Sequence, residues 1–153
     1  MNTALSWIKA YVPDLSCTDQ EYFDAMTLTG TKVEGYERMD KNLEKIVIGQ
    51  IEKIEKHPDA DKLIICQVNV GDRTIQIVTG APNVTPDSVG EICPVAKHKS
   101  TLPGGVKITK GKLRGVPSNG MMCSFQELGL SHGCVPYACE NGILFLPAGT
   151  PVG

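Results

Sequence analysis

From residue 44 onward, the chain is a series of short apolar runs separated by turn residues, and this pattern restricts the fold most strongly. The runs predict strands over residues 45–55, 63–70, 73–79, 89–96, 106–116 and 143–146, with the 106–116 stretch interrupted at Lys110-Gly111. Gly71-Asp72, between the second and third runs, suits a tight hairpin turn. Many short strands with regular turns are typical of a sandwich or small closed barrel, and five or more strands in about 100 residues fit an OB-type barrel.

The first 40 residues have a different texture. Apolar residues at helical spacing over 4–12 predict a helix that ends at Pro13. Thr18-Asp19-Gln20-Glu21 has the spacing of a capping box and predicts a second helix, and a strand is expected over 32–39. We therefore expect a helix–helix–strand segment over residues 1–40 and a barrel domain over 41–153. A further capping-box pattern at 124–127 predicts a short helix within the barrel domain.

The composition excludes several classes of protein. No apolar run approaches the roughly 20 residues that a membrane helix needs, and no secretory signal is visible. The six cysteines contain no C-x-x-C pair, and Cys66, Cys93 and Cys123 lie in apolar runs, as buried free thiols do. A reducing cytoplasmic location is the simpler interpretation.

The positive charge is concentrated in one segment. Residues 92–126 contain six Lys/Arg and no Asp/Glu, whereas residues 1–91 contain nine Lys/Arg and fifteen Asp/Glu. The basic residues are Lys97, Lys99, Lys107, Lys110, Lys112 and Arg114. A local basic surface on an acidic protein indicates a polyanionic partner, although charge runs often form a merely solvated face. Strand alternation would place 110, 112 and 114 on one face, with Lys107 facing them if 106–114 is a hairpin.

No catalytic or metal-binding pattern is recognisable. His57-Pro58-Asp59-Ala60-Asp61 could suggest an acid–base or metal site, but Pro and Asp are common in turns, and we expect a loop held by Asp59 and Asp61. His132, Cys134 and Cys139, with Cys123, match no common zinc spacing, so no metal is expected. Nucleophile, phosphate-loop and zinc-protease motifs are absent from the sequence.

Two runs carry a family resemblance: His57-Pro58-Asp59-Ala60-Asp61-Lys62-Leu63 and, about fifty residues later, Gly115-Val116-Pro117-Ser118-Asn119-Gly120-Met121-Met122-Cys123-Ser124. Together they resemble the tRNA-binding β-barrel module found in several aminoacyl-tRNA synthetases. The start, Leu5-Ser6-Trp7-Ile8-Lys9-Ala10-Tyr11-Val12, is similar to the N-terminus of bacterial phenylalanyl-tRNA synthetase β subunits. The resemblance covers nearly the whole chain.

The resemblance implies a function that the residues alone do not give. It implies the N-terminal part of a longer β subunit, in a cytoplasmic α2β2 synthetase that uses ATP and magnesium to charge tRNA with phenylalanine. The catalytic site would lie in the α subunit, so no catalytic residue and no cofactor are expected in this chain. The tRNA-binding turn would include Ser118 and Asn119, although these could equally be a turn that closes the barrel.

Two other functions stay open from the sequence. One is a free-standing tRNA-binding or chaperone-like protein of the same module family, although such proteins usually lack a segment like residues 5–39. The other is a structural brace that touches no RNA. Because aromatic residues are few, recognition of a folded RNA by shape and charge is expected rather than base stacking. Neither DNA nor a membrane is expected as a partner.

Overall fold

The computed structural model describes residues 3–38, 41 and 43–153, and it divides the chain into two compact units, Met1–Met39 and Asp40–Gly153. The N-terminal unit contains helices α1 (Leu5–Tyr11) and α2 (Asp19–Leu28). Neither helix has a fully buried residue. No helix within the described residues is both long and apolar enough to cross a membrane.

The predicted capping box of α2 is confirmed. The backbone N–H of Glu21 donates to the Thr18 hydroxyl at 3.3 Å, and the Thr18 N–H donates to the Glu21 carboxylate at 2.8 Å. The backbone and hydroxyl hydrogen bonds from Thr18 lower the pKa of Glu21. These reciprocal bonds satisfy donors that the first turn of a helix otherwise leaves free, which is why α2 begins at this point.

The prediction of a strand over residues 32–39 is wrong for residues 32–38, where the backbone is irregular. Met39 lies outside the described residues. The segment is held by other contacts. The Val33 N–H donates to the Thr27 hydroxyl at 3.3 Å, and the Tyr36 ring meets Phe23 edge-on with centroids 6.0 Å apart. Side-chain contacts with α2 replace the strand ladder, because no described strand of this unit offers a partner.

The second unit is mainly β, and the predicted small barrel is confirmed. Its strands are β1 (Ile46–Lys56), β2 (Ile64–Asn69), β3 (Thr74–Thr79), β4 (Ile92–Lys97), β5 (Ser100–Thr101), β6 (Lys107–Ile108), β7 (Gly111–Leu113), β8 (Val116–Ser118) and β9 (Gly120–Met122). A short 3₁₀ turn, Pro86–Ser88, precedes β4. The main sheet is antiparallel, in the order β3-β2-β1-β4-β9.

The long strand β1 gives the sheet its curvature. Its first half pairs with β4 and its second half with β2, and the register shifts between Ile51 and Lys53. A bulge of this kind bends a strand and increases its twist. The two ends of the sheet then meet, because the backbone N–H of Asn119 donates to the Gln76 carbonyl of β3 at 2.8 Å. The barrel is thus nearly closed.

Two local predictions in the second unit are wrong, and a third is confirmed only in part. The stretch 106–116 is interrupted before Gly111, as predicted, where residues 109–110 separate β6 from β7, but a further turn at Arg114-Gly115 separates β7 from β8. The helix expected at 124–129 is a turn, although its Ser124–Glu127 capping-box hydrogen bonds are present. The strand expected over 143–146 makes only one bridge, from Leu146 to Ile92. Gly115 lies in the β7–β8 turn and Gly129 at the end of the 125–129 turn, and both have a positive φ.

The barrel interior is filled by β-branched residues and three thiols, and the predicted burial of Cys66, Cys93 and Cys123 as free cysteines is confirmed. Burial raises the pKa of Cys66 to about 11 and the pKa of Cys93 and Cys123 to about 12. The thiolate is the reactive form of cysteine. These three side chains are therefore unreactive packing groups at neutral pH.

A thiol titration tests this burial. In the native protein, we expect the exposed Cys134 and Cys139 to react quickly with a thiol reagent, and the three buried cysteines to react only after unfolding. The pKa of each buried thiol is higher in the folded protein than its unfolded value of about 9, so these thiols ionise at a lower pH in the unfolded chain than in the folded protein. The free energy of unfolding should therefore fall as the pH rises above about 9. Rapid native reaction at Cys93 would contradict the structure.

Candidate nucleic-acid interface

One concave surface of the barrel is lined by cations and amides, with no carboxylate among its described lining residues. This surface, here called the basic groove, encloses about 530 Å³. Its cations come from distant parts of the sequence: Lys45, Arg73, Lys97 and Lys110. The other lining residues are Gln67, Thr74, Ile75, Gln76, His98 and Asn119. Such a surface offers positive charge and hydrogen-bond donors to a phosphate backbone.

Of the six cations predicted from the sequence, two line this groove, and three more lie within a few residues of a lining residue in the sequence. Lys97 and Lys110 line it, and Lys99 lies just beyond Lys97 in the turn after β4. Lys112 in β7 and Arg114 in the following turn are exposed on the β7–β8 hairpin. That hairpin begins and ends at the groove, since Lys110 precedes β7 and the lining residue Asn119 follows β8.

The sixth cation, Lys107, is placed differently from the prediction. It pairs with Thr101 in a separate hairpin of β5 and β6, so 106–114 is not a hairpin and Lys107 does not face Lys112. Lys107 lines a second concavity of about 720 Å³, together with Glu127 and Glu140. Although this concavity is larger, its carboxylates repel phosphate, so the basic groove is the better candidate for binding a polyanion.

The backbone around the groove is strained where it carries cations. Among the described residues, the three non-glycine residues with positive φ are all basic: Lys45 (65°), Lys99 (66°) and Arg114 (44°). The Lys97 N–H donates to the Lys45 carbonyl at 3.0 Å, and the Lys45 ammonium donates to the Lys99 carbonyl at 3.4 Å. Left-handed backbone at such residues has an energetic cost and is concentrated at functional sites.

Polar side chains inside the groove are oriented by hydrogen bonds. Gln67 and Gln76 are directly opposite in the β2–β3 register, and the Gln67 amide donates to the Gln76 side-chain oxygen at 3.1 Å. The Gln76 amide in turn donates to the Pro117 carbonyl at 2.7 Å. Nδ1 of His98 accepts the Lys110 N–H at 3.0 Å, which leaves the proton of the neutral ring on Nε2, as a donor. These bonds fix one groove wall to the hairpin.

Ser118 and Asn119 have separate roles. Ser118 is buried; its hydroxyl accepts the Val78 N–H at 3.1 Å and donates to the Gly120 carbonyl at 3.1 Å. The side chain is thereby occupied in closing the barrel, which is the alternative raised from the sequence. Asn119 lines the basic groove.

Residues 57–63 form a loop, but the prediction that Asp59 and Asp61 hold this loop is wrong. Asp59 and Asp61 are exposed, and neither carboxylate makes a hydrogen bond or ion pair within the part of the chain that the structure describes. Instead, the loop is closed by backbone bonds, including Leu63 N–H to the Ala60 carbonyl at 3.1 Å, and by the buried His57. Nowhere in residues 3–38, 41 and 43–153 do three His, Cys, Asp or Glu side chains form a group that could hold a metal ion.

Sequence reasoning missed Lys45, Arg73, Gln67, Gln76 and His98. The two cations come from the acid-rich half of the chain, where net charge conceals them. Of these residues, only the two glutamines could have been identified from the sequence pattern. Gln76 alternates with the buried Ile75 and Ile77 of β3, so its side chain is directed away from the core.

Comparison with known proteins gives a family and a fold. A family model described as a putative tRNA binding domain matches residues 46–153. The phenylalanine–tRNA ligase beta subunit of Clostridium tetani is 46% identical over 154 aligned positions, covering 100% of this chain and 18% of that protein. The corresponding subunit of Clostridium acetobutylicum is 47% identical, with the same coverages. The chain thus spans less than a fifth of the length of these relatives.

Among solved structures, the chain is similar to the crystal structure of a MetRS related protein from Pyrococcus horikoshii. The TM-score is 0.51 at 25% sequence identity, and the match covers 79% of this chain and 96% of that chain. The likeness agrees with the mainly β architecture and the small barrel described above.

Proposed function

The chain belongs to the putative tRNA-binding domain family, and from this premise we propose that it binds tRNA through the basic groove and the adjoining β7–β8 hairpin. The observation that carries the proposal is the groove itself. Four cations and no carboxylate line it, although the protein as a whole is acidic, with a net charge of −2. Within the described residues, none of Lys45, Lys97 and Lys110 forms an ion pair, so each can meet a phosphate.

The chemistry of the groove favours a folded RNA over stacked single-stranded bases. Its described lining residues include no Phe, Tyr or Trp, the side chains that stack on unpaired bases. Lysine and arginine contacts to phosphate follow the shape of the backbone and carry little sequence information. Binding should therefore be electrostatic, with little sequence preference and a strong dependence on salt.

A salt series of tRNA binding to the protein tests this proposal. With about three to five phosphate contacts, a fourfold increase in salt should weaken binding by about 1.3 to 2.7 orders of magnitude, because each contact releases condensed counterions. An unrelated folded RNA should compete nearly as well as tRNA. If no binding is detected at low salt, the barrel is a structural brace, and the proposal is overturned.

The larger assembly belongs to the same proposal. We propose that the chain is part of a cytoplasmic synthetase β subunit that assembles with α subunits as α2β2 and supports ATP- and magnesium-dependent charging of tRNA with phenylalanine. The support is that phenylalanine–tRNA ligase beta subunits match the whole chain, helical segment included, which favours a synthetase over a free-standing binding protein. Phenylalanine-dependent pyrophosphate exchange should occur in that assembly and not in this chain alone.

A further inference from the structure

The imidazole of His57 connects two segments that are 56 residues apart in the sequence. His57 is 6% exposed. Its Nδ1 accepts the Asp59 N–H at 3.1 Å, so the ring proton lies on Nε2. Nε2 then donates to the Leu113 carbonyl at 3.1 Å. Both ring nitrogens are thereby bonded, and the neutral tautomer is defined by the loop that carries it.

The segment that His57 reaches is the β7–β8 hairpin. The two strands pair only with each other, and residues 111–115 are all exposed. A two-stranded hairpin is marginally stable by itself, so its contacts with the barrel determine its position. The Gln76 side chain holds Pro117 on β8, and His57 holds Leu113 on β7, next to the turn.

We propose that His57 is a positioning residue for RNA binding, because it holds the hairpin in the orientation that presents Lys112 and Arg114 to the RNA backbone. The inference rests on the proposed function. The residue bonded to His57, Leu113, lies between these two cations in the sequence. Arg114 also has a positive φ of 44°, a conformation that an unrestrained arginine rarely adopts. A fixed carbonyl immediately before Arg114 restrains the turn.

Two substitutions of His57 separate its hydrogen bonds. In His57→Gln, the side-chain amide can occupy the place of Nε2 and donate to the Leu113 carbonyl. In His57→Asn, the shorter side chain can accept the Asp59 N–H but does not reach Leu113. We expect His57→Asn to weaken tRNA binding about threefold to tenfold, the value of one hydrogen bond, and His57→Gln to restore most of the loss.

A double-mutant cycle distinguishes positioning from a general effect on folding. The background is Lys112→Ala with Arg114→Ala, which removes the side chains that the hairpin presents. In this background, His57→Asn should have no further effect on tRNA affinity. An equal loss in both backgrounds would overturn the inference, because His57 would then act through the barrel as a whole.

Amide hydrogen exchange without RNA provides an independent measurement. Residues 111–118 should exchange faster in His57→Asn than in wild type or His57→Gln, while β1 and β2 keep their protection. Unchanged exchange in the hairpin would overturn the inference, even if tRNA binding by the wild type is confirmed.

If the Lys112→Ala/Arg114→Ala variant binds tRNA as tightly as wild type, the inference fails. The proposed function is then tested separately, by charge reversal in the basic groove.

Discussion

Reversing two charges in the basic groove should abolish most tRNA binding. In Lys97→Glu with Lys110→Glu, two cations that line the groove become carboxylates. The variant loses two phosphate contacts and gains two repulsive charges at the same surface, so we expect affinity at low salt to fall by about a hundredfold or more. The slope of log affinity against log salt should decrease by about 1.4 to 1.8.

The matched control carries the same change in net charge at residues that do not line the groove. Lys9 and Lys62 are exposed, and neither lines the basic groove, so Lys9→Glu with Lys62→Glu tests the effect of overall charge. This control should bind tRNA within about threefold of wild type, since it leaves in place every cation that lines the groove. Equal losses in both variants would mean that total charge, rather than the groove, determines binding.

The sequence predicts the local parts of the fold better than the non-local parts. The predicted turn at Gly71-Asp72 is confirmed, because the Val70 N–H donates to the Arg73 carbonyl at 2.9 Å. It was predictable because the Gly-Asp dipeptide that suits a tight turn can be read directly from the sequence. In the stretch 106–116, the break before Gly111 is predicted from the sequence, but the break between β7 and β8 is not. That second break is the left-handed turn at Arg114-Gly115, where an arginine takes a position usually filled by Asn or Gly.

The candidate site could be predicted only in part, because barrel closure assembles it. The acid-free segment 92–126 identifies Lys97 and Lys110, which both lie in it. Lys45 joins them only because β1 pairs with β4, and Arg73 only because β3 returns to the end of β8. The buried position of His57 was not predicted, since its partner Leu113 is determined by the tertiary structure.

Substituting Gly49 should cause a large loss of stability in the barrel. Gly49 lies in β1 and is buried, and its backbone is closely approached from two sides. A Cβ at this position would lie 2.7 Å from a methyl group of Val95 and 2.8 Å from one of Val68. Overpacking of this kind costs about 1–3 kcal/mol, so Gly49→Ala should lower the melting temperature by about 10 °C.

Gly111→Ala is the matched control, because Gly111 also lies in a strand but no atom would lie within 4 Å of an added Cβ. Its melting temperature should stay within about 3 °C of wild type. Val95→Ala removes the methyl group nearest to the Cβ added at Gly49. In a double-mutant cycle followed by thermal denaturation, Gly49→Ala should therefore cost less in the Val95→Ala background than in wild type. Strictly additive losses would show that the two side chains do not compete for the same space, which would contradict the packing of β1 against β4.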